Sequence, residues 1–387
     1  MTKPFNRCLD SVPPSGIRRF FDLVVGASDV ISLGVGEPDF VTPWSIREDA
    51  IYSLERGRVT YTANGGLLAC REAIATYLSS RFHAHYDPSN EIVLTVGVSE
   101  AVDLVFRSIL NPGDHVIIPE PAYVCYAPLV SLAGGTSTTI NTQPTGFLPT
   151  VDAIRAAITP STVAIMLCSP SNPTGRSIPS DLQHAILDLA EQHDLWVISD
   201  EVYAELSYDT PFSSLGSFGR FHDRVILLNG FSKAFAMTGW RLGFVCGHSD
   251  LIKRVIKIHQ YCALCAPTMA QYAAIEALRS AEKEIKKMRE SYLKRRNMVT
   301  DCLHQMGLPT VKPEGAFYVF PSIEPTGLGS EEFAMQLLTE EKVAVVPGTA
   351  FGKGGEGHIR CCYATSFDDL TEAMTRMARF VKKRVTP

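Results

Sequence analysis

A lysine that follows a predicted strand is the first residue placed to do covalent chemistry. The segment ILLNGFSKAFAMTGWRLGF, residues 226–244, runs from a strand through a turn to Ser232 and Lys233, and a second strand-like run begins at Arg241. Lysine is seldom buried unless it is paired or used covalently, and its neutral amine can form a Schiff base with an aldehyde. Arg241 could hold an anion nearby. A solvated lysine on a surface turn is the alternative.

An aspartate ends a second apolar run. The segment DLWVISDEVYAEL, residues 194–206, places Asp200 at the carboxyl end of a predicted strand. Ligands of open α/β sheets bind at that edge, so the carboxylate could pair with the protonated ring nitrogen of a cofactor. The alternative is that Asp200 caps a following helix.

Two further turns carry polar groups. In EIVLTVGVSEAVDLVFRSIL, residues 91–110, a strand, a turn at 97–99 and a helix follow one another. Such a turn gathers backbone N–H groups, a hydroxyl and a helix N-terminus, which suits a phosphate. In CSPSNPTG, residues 168–175, Asn172 could project its amide into a cleft. An ordinary loop is the alternative there.

The elements that would position these residues alternate along the chain. Helical patterns occur near 44–56, 66–84 and 99–110, and apolar runs bounded by Gly, Pro, Asn or Asp predict strands. Consecutive Val and Ile residues in these runs are typical of strands covered on both faces. Strands separated by helices imply a parallel or mixed sheet. The predicted strands are 92–96, 115–118, 163–167, 195–199, 225–228 and 242–246.

The last quarter of the chain has a different pattern. A long amphipathic helix is predicted over about 280–305, followed by the strand-like pieces AFYVFPS and KVAVVPG and a final helix at 367–383. At 387 residues the chain is long for one core. This pattern predicts a separate C-terminal α+β unit, with the long helix as the joint between it and the rest of the chain.

Composition narrows the class of protein. The formal net charge is −5, which does not favour nucleic acid or an anionic membrane as a partner. We expect a cytoplasmic protein, because no apolar run has the length of a membrane span and the N-terminus lacks the apolar core of a signal peptide. The ten cysteines are scattered, as expected for reduced thiols. Cys262 and Cys265 form a C-x-x-C without a second ligand pair, so we interpret them as packing residues on a helix and expect no metal site.

In combination, the motifs resemble those of the class I/II aminotransferases of the fold-type-I pyridoxal-phosphate family. GEPDF, VGVSEA, SPSNPTG, SDEVY, SKAFAMTGWRLGF and GAFYVFP occur in that order and cover nearly the whole chain. The likeness is closest to the bacterial branch with aspartate, aromatic and N-acetyl-LL-diaminopimelate aminotransferases; SGIRRF and KPEGAFYVFPSI resemble the last of these. The resemblance implies an α/β fold: a large domain with a mostly parallel sheet in three α/β/α layers, plus a smaller α+β domain. It also implies an N-terminal arm with part of the small domain at 1–45, the large cofactor-binding domain at 46–285 and the small C-terminal domain at 286–387.

The resemblance also implies pyridoxal 5′-phosphate as cofactor and assigns its chemistry. Lys233 matches the Schiff-base lysine that also shuttles the substrate proton. Asp200 matches the aspartate that keeps the pyridine nitrogen protonated, so that the ring acts as an electron sink. Asn172 and Tyr203 match the pair that hydrogen-bonds the ring's phenolic oxygen, and Tyr123 matches the aromatic residue that stacks on the ring.

The remaining assignments concern phosphate and substrate. The residues that match the phosphate cup are Val98, Ser99, Ser232 and Arg241. Tyr61 matches a tyrosine that reaches the phosphate from the neighbouring subunit, which implies a homodimer. Arg360 matches the arginine that grips the substrate α-carboxylate, for which its planar fork is suited, and Gly36 lines the substrate side. Gly230 departs from relatives with a phosphate-binding serine, and no residue matches the arginine that selects a second carboxylate.

Three hypotheses for function follow. The first is an aminotransferase that moves an amino group from an L-amino acid to a 2-oxo acid, with 2-oxoglutarate as the expected acceptor. The second is a β-eliminating lyase on the same scaffold, because the shared motifs do not decide which substrate bond breaks. The third is a non-catalytic module of a transcription regulator. It would need a DNA-binding extension, and the resemblance begins within about the first 20 residues, which leaves no room for one.

Overall fold

A seven-stranded sheet forms the centre of this computed structural model, which describes residues 9–10, 12–17 and 29–385. The described strands are β1 (Ile31–Ser32), β2 (Ile92–Thr95), β3 (His115–Glu120), β4 (Thr136–Asn141), β5 (Thr162–Cys168), β6 (Trp196–Asp200), β7 (Val225–Gly230), β8 (Gly243–Cys246), β9 (Tyr318–Val319), β10 (Val343–Ala344), β11 (Val346–Pro347) and β12 (Ile359–Cys362). The order of the central sheet is β2-β8-β7-β6-β5-β3-β4, and only β8 runs antiparallel to its neighbours. The mostly parallel sheet that was predicted is thus confirmed.

Helices cover both faces of this sheet. The described helices are α1 (Trp44–Glu55), α2 (Leu68–Phe82), α3 (Gly97–Ile109), α4 (Tyr126–Leu132), α5 (Val151–Ala157), α6 (Ser180–Gln192), α7 (Ser249–Cys262), α8 (Thr268–Ser280), α9 (Glu282–Gln305), α10 (Ser330–Glu341) and α11 (Phe367–Lys382). Successive strand residues alternate between the faces of the sheet. Ile198 joins the core beneath α3, α4 and α7, whereas Val197 joins the core beneath α5 and α6. The arrangement is a three-layer α/β/α stack.

A second, smaller assembly follows α9. Strands β11, β12 and β9 form an antiparallel sheet that shares one apolar core with α9, α10 and α11. Strand β1, from the beginning of the chain, pairs in parallel with β10 of this assembly, with Ile31 opposite Val343. This pairing favours the predicted assignment of residues 1–45 to an arm and part of the small domain, although the boundaries at 45 and 285 stay predictions.

The interpretation of the C-x-x-C pair as packing on a helix is wrong. Helix α7 ends at Cys262, whose side chain is exposed, and Cys265 lies beyond the helix. Leu264 adopts a φ of +65°, which a continuing helix does not allow. Both cysteines are free thiols. Across the described part of the chain, no group of three His, Cys, Asp or Glu side chains could hold a metal ion.

In the described part of the chain, no helix is both long enough and apolar enough to cross a membrane.

Candidate active site

A cavity of about 440 Å³ lies at the carboxyl ends of the parallel strands, between the sheet and the small assembly. This is the edge where open α/β sheets bind ligands. Every predicted site residue except Tyr61 lines it. These residues are Gly36, Val98, Ser99, Tyr123, Asn172, Asp200, Tyr203, Ser232, Lys233, Arg241 and Arg360.

Lys233 follows β7 and lies inside the cavity rather than on a surface turn. Its Nζ donates a 2.6 Å hydrogen bond to the carbonyl oxygen of Gly36. Burial, with a smaller contribution from the positive charge of Arg360, lowers the pKa of Lys233 to about 8. Near neutral pH a useful fraction of the amine is therefore unprotonated, which a nucleophilic lysine requires.

Asp200 ends β6 with its carboxylate buried. The Tyr126 hydroxyl donates to Oδ2 at 2.7 Å, and the Val202 backbone N–H donates to Oδ1 at 3.2 Å. Burial raises the pKa of Asp200, whereas these hydrogen bonds and the charge of Lys233 lower it. No α-helix begins directly after β6; only a 3₁₀ turn over Ala204–Leu206 follows. Asp200 therefore does not cap an α-helix, and the only contact of the capping kind among the described residues is the hydrogen bond from the Val202 N–H.

The turn after β2 gathers the groups expected of an anion site. Helix α3 begins at Gly97, two residues earlier than predicted, and no side chain caps its N-terminus. Gly97 has a φ of +76°, and a Cβ there would lie 2.6 Å from Nη2 of Arg241. The Ser99 and Ser232 hydroxyls line the same cavity. Free N–H groups, two hydroxyls and a guanidinium therefore surround one point, which favours a phosphate.

Gly230 is explained by close packing. A Cβ at this position would lie 2.9 Å from Cγ2 of Val98 and 3.0 Å from Cα of Gly243. Both distances are too short for a side chain without a shift of its neighbours. The serine that some relatives carry here would not fit beside Val98, which leaves Ser232 as the hydroxyl of this segment in the cavity.

Arg360 lies on β12 and is buried. Its Nη1 donates to Oδ1 of Asn172 at 2.9 Å and its Nη2 to the carbonyl oxygen of Gly34 at 2.6 Å, while Nε finds no partner among the described residues. The guanidinium lies 4.4 Å from the ring centre of Tyr318. A buried cation held by neutral acceptors alone favours an anionic ligand, and a carboxylate matches its geometry.

Two aromatic residues of the site were not predicted. The Tyr318 hydroxyl lies 2.8 Å from that of Tyr203, and Tyr126 holds Asp200. Tyr318 stands in GAFYVFP, a motif that the resemblance already included. Tyr126 begins helix α4 three residues after Tyr123, with which it makes an edge-to-face contact. Other lining residues that were missed are Ile17, Val35, Glu37, Val102, Cys168, Val202 and Thr238.

These residues fit pyridoxal phosphate. The cofactor carries an aldehyde for Lys233, a dianionic phosphate for the turn at Gly97 and a ring nitrogen that can be protonated. Among the residues that the structure describes, no cationic side chain forms a salt bridge with Asp200, although the charge of Lys233 lowers its pKa. A buried carboxylate of this kind is costly unless a cation pairs with it, and a protonated ring nitrogen would be that cation.

Tyr61 is the exception among the predicted residues. It lies in the loop after α1, outside the cavity of its own chain, with 81% of its surface exposed.

The chain is similar in sequence and in structure to known aminotransferases. Residues 28–377 match the family model for aminotransferase class I and II. The chain is 51% identical to a putative aminotransferase, YugH, of Bacillus subtilis over 99% of this chain and 100% of the relative. It is 47% identical to an aspartate aminotransferase of Pyrococcus abyssi, over 97% and 98%. A solved aromatic aminotransferase from Pyrococcus horikoshii aligns with a TM-score of 0.90 at 45% identity, over 95% and 99%.

Proposed function

The chain belongs to the class I and II aminotransferases, and we propose that it transfers the amino group of an L-amino acid to 2-oxoglutarate through pyridoxal phosphate held by Lys233. The enzyme class, a pyridoxal-phosphate-dependent transferase of nitrogenous groups, follows from the family. The observation that carries the proposal is that Lys233, Asp200 and Arg360 line one cavity. They are respectively a nucleophile with a lowered pKa, a buried carboxylate that forms no salt bridge with any described residue, and a buried guanidinium.

Lys233 would form a Schiff base with the cofactor and afterwards move a proton at the substrate Cα. The Gly36 carbonyl accepts a hydrogen bond from Nζ and so fixes the position of the amine. The lowered pKa supports both roles, because a base that works near neutral pH needs a pKa close to that pH. When bound, pyridoxal phosphate supplies an electron sink for negative charge at Cα.

Asp200 would hold a proton on the ring nitrogen, and Tyr126 would hold Asp200 in place. We assign Asn172 and Tyr203 to the phenolic oxygen of the ring and Tyr123 to stacking on its face. Asn172 already orients Arg360, so the proposed ring contact and the proposed carboxylate contact share one amide. The proposed phosphate ligands are the N–H groups at Val98 and Ser99, the hydroxyls of Ser99 and Ser232, and Arg241.

Arg360 would bind the α-carboxylate that every amino-acid and 2-oxo-acid substrate presents. Gly36 borders this part of the cavity, and a Cβ there would lie 2.4 Å from the hydroxyl of Tyr318. A larger residue at 36 would therefore displace Tyr318 or enter the space for substrate. Of the relatives described above, one is named for aspartate and another for aromatic amino acids. The amino donor is thus a question for a substrate panel.

We also assign the chain to a cytoplasmic homodimer. Exposed apolar side chains concentrate on two segments, 41–68 and 261–264, and the Asn64 amide joins the segments by donating to the Leu264 carbonyl at 2.8 Å. A concentration of exposed apolar side chains on neighbouring segments is typical of a subunit interface. A second copy seated there would bring Tyr61 towards a phosphate cup. The exposed residues are Val41, Trp44, Ile51, Tyr52, Leu54, Val59, Tyr61, Leu68, Tyr261 and Leu264.

The test is a panel of L-amino acids incubated with the reconstituted enzyme and 2-oxoglutarate. Aspartate, phenylalanine, tyrosine and alanine are included, and glutamate formation is measured. Transfer predicts glutamate in an amount equal to the 2-oxo acid made from the donor, with none produced by Lys233→Ala. Serine, whose β-hydroxyl can leave as water, is added to detect elimination. Release of pyruvate and ammonia from serine without an acceptor would instead assign the protein to the β-eliminating lyases.

A further inference from the structure

Glu100 lies in the first turn of helix α3, directly after the proposed phosphate cup. Its Oε2 accepts a hydrogen bond from the backbone N–H of Val96, the last residue before the helix. Its Oε1 lies 3.2 Å from Nδ1 of His259. Both carboxylate oxygens are therefore occupied, and neither caps the N–H groups of Val98 and Ser99. No other described residue outside the helix accepts a hydrogen bond from those two N–H groups, so they can bind an anion.

His259 is fully buried near the end of α7, which packs against α3. Its second ring nitrogen, Nε2, has no hydrogen-bond partner among the residues described. A buried N–H without an acceptor is rarer than a lone pair without a donor. The ring therefore carries its proton on Nδ1 and donates it to Glu100, as is common for a histidine beside a carboxylate.

A carboxylate this close to a phosphate needs an explanation, because like charges repel. Strand β2 must reverse sharply into α3, and the reversal is made at Gly97 with its positive φ. Glu100 connects the two sides of that reversal, since it joins the N–H of Val96 to the first helical turn. His259 contacts one carboxylate oxygen while the other accepts the N–H of Val96, so the two contacts together orient the carboxylate.

We propose that Glu100 and His259 are positioning residues that shape the turn at 96–99 to receive the cofactor's phosphate. They act through backbone N–H groups and touch neither cofactor nor substrate. The identity of the anion rests on the proposed function. The consequence is specific: the pair contributes to the recognition of the phosphate and not to the capture of the aldehyde by Lys233.

The chain contains a matched control. Glu91 has the same two contacts at the opposite end of β2: its Oε2 accepts the N–H of Asp87, four residues earlier, and its Oε1 lies 2.9 Å from Nε2 of His222. Neither residue lines the cavity. Glu91 and His222 are half-buried, so changes there remove a pair with the same contacts, in a more exposed setting, without altering the turn at Gly97.

The experiment compares pyridoxal phosphate with pyridoxal, which lacks the phosphate, as ligands of the apoenzyme. Dissociation constants are measured by absorbance titration for Glu100→Gln, His259→Ala and His259→Asn. Asn can still donate near the position of Nδ1, so it should restore binding. We expect Glu100→Gln and His259→Ala to weaken pyridoxal phosphate at least about tenfold while pyridoxal changes less than about twofold. Glu91→Gln and His222→Ala should change neither constant.

Equal weakening of both ligands, or of neither, would overturn the inference, as would a similar loss in the control variants. Thermal melting of each apoprotein identifies a variant that fails to fold. Glu100→Gln keeps the shape of the side chain and carries the test if His259→Ala does not fold. Failure of the wild-type apoprotein to bind pyridoxal phosphate would instead reject the proposed function.

Discussion

The hydroxyl of Tyr126 donates a 2.7 Å hydrogen bond to Oδ2 of Asp200, although 74 residues separate them along the chain. The tyrosine begins helix α4, and the aspartate ends strand β6. The only other hydrogen bond to this carboxylate among the described residues comes from the N–H of Val202. These two neutral donors, together with the charge of Lys233, oppose burial, which disfavours the charged form of Asp200.

Tyr126→Phe should therefore reduce turnover without preventing cofactor binding. A hydrogen bond to a charged group contributes about 1.5–3 kcal/mol, which corresponds to roughly a 10- to 100-fold loss.

Asp200→Asn should lose several orders of magnitude in turnover rate, because a neutral amide does not keep a ring nitrogen protonated. Half-reaction rates with one amino acid measure both effects. Tyr86→Phe, at a buried tyrosine outside the cavity, is the control. If Asp200→Asn stayed within about tenfold of wild type, its proposed role would be wrong.

The rate at which the apoenzyme captures pyridoxal phosphate should rise with pH around a midpoint near 8. Only the unprotonated amine attacks the aldehyde, and burial lowers the pKa of Lys233 to about 8. Below that pH the ammonium form predominates and capture slows; above it the rate reaches a plateau. Stopped-flow absorbance measures the rate, with Nα-acetyl-lysine in solution as reference. A midpoint close to 10.5, the ordinary pKa of a lysine, would contradict the burial of this amine.

Arg360→Leu extends this test, because the positive charge of Arg360 contributes to lowering the pKa of Lys233. Removal of the charge should move the midpoint of capture to higher pH.

Lys233→Ala should lose both the capture of the cofactor and the absorption band of the cofactor–lysine linkage. A band retained in Lys233→Ala would mean that another lysine holds the cofactor.

Hydrophobic patterning predicted most of the central sheet but not its polar edge. Strand β4, TSTTIN, has mostly exposed side chains and no buried residue, so it lacks the apolar signal on which strand prediction depends. It forms because its backbone pairs with β3 in parallel register from His115 and Thr136 onwards. An edge strand can thus be specified by its neighbour's unpaired N–H and C=O groups rather than by its own side chains.

The candidate site was predictable where a motif lies at a strand end. Lys233, Asp200 and Asn172 were identified in this way, because the carboxyl ends of parallel strands meet at one edge. Tyr318 was not singled out, since its role depends on contacts with Tyr203 and Gly36, which are 115 and 282 residues away in sequence. Such contacts arise when the small assembly closes over the sheet, and local spacing does not encode them.

Arg360→Ala should impair amino acids far more than amines. Loss of a buried charged partner costs about 2–5 kcal/mol, roughly a 30-fold to several-thousand-fold effect. Phenylalanine and 2-phenylethylamine are a matched pair of substrates, because they differ only in the carboxylate. Half-reaction rates should fall steeply for phenylalanine and little for the amine, with Arg360→Lys intermediate because it keeps the charge but not the planar fork. Equal losses for both substrates would show that Arg360 acts on the fold and not on the carboxylate.

Tyr61 should act on the active site of the partner subunit. Tyr61→Ala and Lys233→Ala are each expected to be badly impaired, and the two are unfolded and refolded together in equal amounts. In a hybrid dimer one site combines the intact Lys233 of one chain with the intact Tyr61 of the other, and the second site lacks both. Random pairing makes half of the dimers hybrid, so about a quarter of wild-type activity should return if the sites are independent.

The control is a mixture of Lys233→Ala with Asp200→Asn. Both residues line the cavity of a single chain, so no activity should return. If Tyr61 served its own chain, both mixtures would stay inactive, and a monomeric active enzyme would reject the shared site before any mixing.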